Sequence, residues 1–323
     1  MKQLKSTRAG FGAAITKLGQ TNKDVFVVSA DLASSVKVSD FAKNHPERFF
    51  ECGVAENNMA GVSAGLALQG KIPFACSFAV FSPYINWAVI RQSICMNKAN
   101  VKIASTHAGI ITGPDGATHQ ALEDLALMQI LPNMTVVVPA DYDQAYWSTL
   151  EAVKINGPVY LRLARPDTEQ FKKFKSLKVQ QFRIGKAQVL KEGKDLTIIS
   201  CGPIIFEAVK AVEKIENEIA SSQTSRNDKF SIELINCHTL KPLDEETILK
   251  SVKKTGKVLI LEDHQVFGGL GTAVAQLLSQ KYPAPIKMMG IKDRFGESAR
   301  SGDELIEKFG LDAKTIIKEI KSF

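Results

Sequence analysis

Glu56 stands in Gly53-Val54-Ala55-Glu56-Asn57-Asn58, just past an apolar run and at the start of a helical pattern. An acid in a first helical turn suits the helix dipole, which is its ordinary explanation. Among small apolar neighbours, however, a carboxyl turned into a crevice is desolvated and keeps its proton. Such a group can donate a strong hydrogen bond to a ring nitrogen at neutral pH. Downstream, Phe78-x-x-Phe81-x-x-Tyr84 spaces aromatics by three, and Pro83 suits a first helical turn, so the three residues mark a strand-to-helix corner. A corner of this kind either fills a core or walls a ligand. His107 to His119 then encloses Asp115 in a polar loop made mobile by Gly109, Gly113, Pro114 and Gly116. The spacing fits no standard zinc pattern, so no metal is expected on this chain, and the histidines suit proton transfer and hydrogen bonding to hydroxyls. This is equipment for a flat heterocycle and a sugar. A Gly-rich loop for a diphosphate and a Gly-Asp-Gly metal motif are both missing, so the residues amount to half of an active site.

The elements that must position these groups follow from periodicity. Residues 1–165 alternate short β-branched runs with amphipathic patterns, which predicts a parallel sheet with crossover helices. Strands are expected at 25–29, 48–52, 72–77, 101–106, 135–138 and 159–163. Helices are expected at 7–19, 55–69, 82–98, 120–129 and 142–155. On the helix from Ala55, Met59, Val62, Leu66 and Leu68 supply packing, while Ala60, Gly61, Ala64 and Gly65 admit close approach by a sheet or a partner subunit. Residues 166–190 turn basic and lose pattern, as a linker does. A second, smaller α/β domain over 191–323 is expected to carry strands at 196–200, 232–236, 258–262 and 286–290. Its helices are expected at 203–220, 245–254, 270–281 and 302–321, with an exposed loop over 221–229. The fold class is α/β, with two doubly wound, mostly parallel-sheet domains.

Composition removes other classes. The chain has 323 residues, 45% hydrophobic and 23% charged, as a soluble globular protein does. No apolar run nears the roughly 20 residues of a membrane span, and the N-terminus lacks the apolar segment of a secretory signal. Five scattered cysteines without a Cys-x-x-Cys pair point to reduced thiols and a cytoplasmic location. The net charge of +7 is mostly lysine, and its densest run, Lys172 to Lys178, falls in the linker. No nucleic-acid motif accompanies it, so neither nucleic acid nor membrane is an expected partner.

Ligands of open α/β sheets bind beyond the carboxyl ends of the strands. In the first domain Asp31, Glu56, Phe78, Phe81, His107, Asp141 and Arg165 all follow strands and so share one edge. The second domain offers only Glu262-Asp263-His264, followed by Gly268-Gly269-Leu270-Gly271, which reads as a helix start. The chemistry is therefore assigned to the first domain.

At this point the chain closely resembles, along essentially its whole length, the C-terminal half of transketolase: a pyrimidine-binding domain followed by the transketolase C-terminal domain. The specific matches are Gly53 to Met59, Ser77-Phe78-x-x-Phe81-x-x-Tyr84, Thr106-His107 with Gly113 to Gln120, Leu131 to Met134, Pro139-Ala140-Asp141 and Ser29 to Leu32. The resemblance implies a split transketolase. A separate N-terminal subunit would hold Mg²⁺ and the phosphates of thiamine diphosphate, and the cofactor would lie between chains, in an α2β2 assembly acting on sugar phosphates. It further implies that Glu56 hydrogen-bonds the aminopyrimidine N1′, that Phe81 stacks on that ring, and that Phe78 and Tyr84 line its pocket. Asp31 would lie near the cofactor at the subunit junction. His119 and Asp115 would bind the donor's hydroxyls, and Arg8, Ser35, His107 and Arg165 its phosphate end. Ala108-Gly109 departs from the usual transketolase pair Asp-Ser and is similar to deoxyxylulose-phosphate synthase. The β subunit of a 2-oxo acid dehydrogenase E1 and a non-catalytic partner are the other readings. The two histidines argue against the former, because small 2-oxo acids do not need them.

Overall fold

The structure, a computed structural model, describes residues 4–221 and 230–323. Its strands are β1 Val25–Ser29, β2 Phe49–Glu51, β3 Ile72–Phe78, β4 Lys102–Thr106, β5 Thr135–Val137 and β6 Val159–Arg162 in the first half. The second half adds β7 Gln188–Lys191, β8 Leu196–Ser200, β9 Ile232–Asn236, β10 Thr239–Lys241, β11 Val258–Gln265 and β12 Ile286–Ile291. They form a seven-stranded sheet in the order β10-β5-β6-β4-β3-β1-β2 and a five-stranded sheet in the order β12-β11-β8-β9-β7. All pairings are parallel except β10 on β5 and β7 on β9. Helices cover both faces of a parallel sheet, which is why β4, β8 and β9 are buried at every residue and read as unbroken apolar runs.

The two sheets are not independent. After β9 the chain leaves the second sheet, adds β10 to the first beside β5, and returns through the helix Glu245–Thr255. One core cluster joins Val136 and Tyr160 of the first sheet to Ile199, Ile235 and Ile260 of the second. The segment expected as a plain linker is a packed strap. Phe171 and Phe182 anchor it in the core, Lys172, Lys175 and Lys178 face outward, and β7 begins inside it.

Other departures have local causes. The helix expected over 302–321 is two, Gly302–Lys308 and Ala313–Lys321. Gly310 turns left-handed at φ 69° between them, and Asp312 caps the second by accepting N–H bonds from Lys314 and Thr315. The helix expected from 120 starts at Asp124, because Ala121 is extended and bridges to Ala108. The helix expected from 82 starts at Trp87 and winds as a π-helix from Ile90 to Cys95. A short helix, Ser39–Asn44, was not expected. Beyond Ser221, the expected loop lies outside the described residues. Gly269 caps the helix Leu270–Lys281, and the Glu262 carboxylate accepts the N–H groups of Leu270 at 2.7 Å and Gly271 at 2.9 Å. All five cysteines are free thiols.

One ionic cluster ties the halves together. Asp124 Oδ2 accepts hydrogen bonds from Arg162 Nε at 2.8 Å and from the Tyr160 hydroxyl at 2.7 Å. Arg162 Nη2 donates to the carbonyls of Ala121 at 3.1 Å and Asp263 at 2.9 Å. Both charged side chains are buried. Removing one member leaves the other charged and unpaired in the core, which costs about 3–5 kcal/mol. Asp124→Ala is expected to lower unfolding stability by about that amount, read as a shift in the urea midpoint; a change under about 1 kcal/mol would contradict the assignment.

Candidate active site

The carboxyl ends of the parallel strands place most of the expected residues along one edge. After β2, Gly53 takes φ 68° and the chain turns into the helix Glu56–Leu68, with Glu56 as its first residue. Its side chain is buried, at 4% exposure. Ser77 Oγ, near the end of β3, donates to Glu56 Oε1 at 3.1 Å, and Asn86 Nδ2 donates to the Glu56 carbonyl at 3.2 Å. Among the described residues Oε2 accepts no hydrogen bond. Glu56 is thus held by one oxygen, with the other available. Ser77 and Asn86 carried no separate signal in the sequence, since a serine in a strand and an asparagine before a helix are commonplace.

The aromatic wall is contiguous with the histidines. Phe78 and Phe81 stack with ring centroids 5.8 Å apart, and His107 lies against Phe78 at 3.7 Å. His119 meets Phe81 edge-on at 5.6 Å and Phe78 at 6.1 Å. Tyr84 is turned to another task. Its hydroxyl donates to Glu123 Oε2 at 2.5 Å and accepts the N–H groups of Leu122 and Glu123, which fixes the segment leading from the histidine loop.

The basic groups gather beyond His107. Arg8 Nη1 donates to the Ser35 carbonyl at 3.0 Å, and its buried Nε has no partner. Arg165 Nη1 donates to the Thr112 carbonyl at 3.2 Å while its Nε faces Asp115 at 3.5 Å. Burial, and next the charge of Arg165, pull the Arg8 pKa down, against the opposing pull of Asp167 and Asp115. Two guanidiniums therefore share a site that an anion would relieve. His107 occupies a left-handed φ of 62°, a region that side chains other than glycine seldom use and that recurs at functional sites. Burial, Arg8, Arg165 and His119 together depress its pKa to about 3, so its ring is neutral at physiological pH. Nδ1 is engaged with Thr106 Oγ1 at 2.7 Å.

Two residues stand apart from this cluster. Asp31, at φ 60° after β1, is exposed, and only its backbone is tied down, donating to Glu51 Oε1 at 2.6 Å. Ser35 touches the cluster through its carbonyl alone. Asp141, another strand-end acid, is an N-cap instead: it accepts the N–H groups of Gln144 at 2.8 Å and Phe171 at 3.0 Å. No group of three or more metal-ligating side chains occurs among the described residues.

Two open α/β sheets, with a carboxyl, stacked rings and paired arginines along one edge of the first, define a pyrimidine-binding unit joined to a smaller companion. The family profile for "Transketolase, pyrimidine binding domain" matches residues 3–170, and that for "Transketolase, C-terminal domain" matches residues 185–316. The chain belongs to the transketolase family. It is 41% identical over 317 residues to a putative transketolase C-terminal section of Methanocaldococcus jannaschii, covering 98% of this chain and 95% of that protein. It is 36% identical to the 6-deoxy-6-sulfo-D-fructose transketolase subunit SqwH of Clostridium sp., covering 94% and 90% of the two. A solved split gene transketolase, described as an inactive β4 tetramer, superposes with TM-score 0.86 at 44% identity, covering 98% of this chain and 97% of that one. The fold is therefore that of a split transketolase C-terminal subunit, and the family implies a transferase that depends on thiamine diphosphate.

The neutral state of His107 can be checked directly. Its imidazole resonances are expected not to titrate between about pH 5 and 8; a midpoint above about 5.5 would contradict the assignment. The unfolded chain protonates this residue near its ordinary 6.5 and the folded chain only near 3, so acid between those values favours unfolding. His107→Gln lacks that proton. Its destabilisation should therefore shrink as pH falls below 6.5, by up to about 1.4 kcal/mol per pH unit.

Proposed function

We propose that this chain is the C-terminal subunit of a split, thiamine-diphosphate-dependent transketolase. It would transfer a two-carbon ketol unit from a ketose phosphate to an aldose phosphate, at a site shared with an N-terminal subunit in an α2β2 assembly. The observation that carries this reading is Glu56, buried beside stacked rings with one carboxyl oxygen left without a partner. Length agrees with it. The chain spans nearly all of the split relative but only 48% of the mouse transketolase that it matches at 30% identity. The Gly-Asp-Gly motif expected of the diphosphate site occurs nowhere in the sequence, so the companion would supply that site and its Mg²⁺.

When bound, thiamine diphosphate supplies the nucleophilic carbon that lets a carbon–carbon bond break and re-form. The roles left to this chain are orientation, proton placement and charge. Glu56, secured by Ser77, would hold a proton at a pyrimidine ring nitrogen, with Phe81 against the ring and Phe78 behind it. Tyr84 would keep the pocket's edge in place through residues 122–123, and Asp31 would meet the companion at the junction. His119 and Asp115 would hydrogen-bond donor hydroxyls. Neutral His107, with Nδ1 occupied, has Nε2 left for a hydroxyl or a phosphate oxygen. Arg8, beside Ser35, and Arg165 would take the anionic end, where guanidinium contacts to oxyanions are strongest. Two relatives are named for donors with such an end: the sulfo-sugar transketolase already described, and an apulose-4-phosphate transketolase of Phocaeicola vulgatus, one chain of which is 33% identical over 321 residues.

With its companion, Mg²⁺ and cofactor, the chain is expected to transfer ketol units from xylulose phosphate to ribose phosphate; the chain alone should show no transfer and little cofactor affinity by calorimetry. Oxidation of pyruvate with a dye acceptor by the same complex, without sugar transfer, would favour the 2-oxo acid dehydrogenase reading. In the working complex, Glu56→Gln should lower turnover by at least about 10²-fold. Turnover close to that of the unaltered complex would remove Glu56 from its role.

A further inference from the structure

We propose that the second α/β domain sets the shape of the substrate loop 107–120, with Asp263 as the positioning residue that fixes His107, Asp115 and His119 relative to one another. This rests on the reading of the site given above. The loop is poorly equipped to hold itself. Gly109, Gly113 and Gly116 all take positive φ, and the short 3-10 turn Ile110–Asp115 is interrupted at Gly113. What it lacks, the second domain provides. Asp263, buried on β11, accepts the N–H of Ile110 at 2.9 Å and of Ile111 at 3.4 Å, groups at the start of that turn with no carbonyl before them to bond. The carboxylate sits where a side chain on residue 109 would be: a Cβ there would lie 1.9 Å from Asp263 Oδ2, so only glycine fits.

Three further contacts follow the loop. A Cβ on Gly113 would lie 2.9 Å from the Gly302 nitrogen, and one on Gly302 would lie 2.5 Å from the Ile111 carbonyl oxygen. Gly116 presses equally closely on Ser298 Oγ. Gln120 Nε2 donates to the Gly113 carbonyl at 3.1 Å and to the Glu297 carbonyl at 2.8 Å, in a space that Gly296 leaves open. Behind the loop, the Arg162 guanidinium joins the Asp263 carbonyl to that of Ala121, so the strand carrying Asp263 and the loop's exit share one anchor. The groups assigned to the donor thus stand on a frame that belongs to the other domain.

The test uses the assembled two-chain complex carrying Asp263→Asn or Gly109→Ala, the second variant disturbing the same contact from the loop side while leaving the carboxylate intact. Three quantities are read: amide hydrogen exchange across 107–120, the KM for a ketose phosphate with kcat, and the dissociation constant of thiamine diphosphate. Faster exchange in the loop, with KM raised about 10-fold to 10²-fold and cofactor affinity changed less than about twofold, is the expected result. Unchanged exchange and KM in a folded variant would overturn the inference, as would a parallel loss of cofactor affinity, which marks general loosening. If Asp263→Asn does not assemble, Gly109→Ala decides by the same criteria. If the unaltered complex transfers no ketol unit, the functional reading fails, while hydrogen exchange still decides whether Asp263 holds the loop.

Discussion

A guanidinium cannot be buried without partners, and where Arg162 finds its partners decides how the two halves of this molecule meet. Its Nε and the Tyr160 hydroxyl converge on one oxygen of Asp124, while Nη2 bridges two carbonyls that belong to different sheets. Desolvation opposes the charge, but Asp124 and the carboxylate of Asp263 more than restore it, and the pKa of Arg162 is raised. A hydrophobic contact tolerates sliding; a planar fork with fixed donors does not. The cluster therefore does more than add stability. It sets β11 in register with the segment 121–124, and with it every contact that β11 makes to the loop above.

The first domain carries chemistry on one side and an unfinished surface on another. The helix that begins with Glu56 buries Met59, Ala60, Ser63 and Ala64, while Gly61 and Gly65 face open space. Val54, just before it, is 82% exposed, and Leu68 at its end is 62% exposed. Apolar side chains around small residues make a flat surface with a low desolvation cost on docking. That surface belongs to the same helix as the half-engaged carboxyl, which is the arrangement a shared site requires: the group that would touch the cofactor is rigid before a second chain arrives.

Strands buried on both faces were the most legible part of the fold, because a continuous apolar run leaves little choice of place. β1, β8 and β9 lie at the limits their sequence predicts for that reason. β7 and β10 were not legible, since four and three residues pairing antiparallel at sheet edges carry no period of their own. The break at Gly310 was visible in Phe309-Gly310-Leu311-Asp312, but the amphipathic pattern continues across it and hid the stop. In the site, Glu56 and the aromatics announced themselves by type and spacing. Asp263 stands at a strand end in plain view, yet its partner is the loop of another sheet, and that pairing exists only in the tertiary fold.

The electrostatics of the pocket follow from the same packing. Arg8 and Arg165 depress His107 because they are close and because burial prevents water from screening them. A second cation at that position would have added repulsion to a site already short of negative charge; a neutral imidazole adds none. Uncharged, the ring still offers one donor and one acceptor, and Thr106 consumes only one of them. The pocket can thus hold an anion with its arginines and a neutral hydroxyl with its histidine at once, which is the pair of functions a phosphorylated sugar presents.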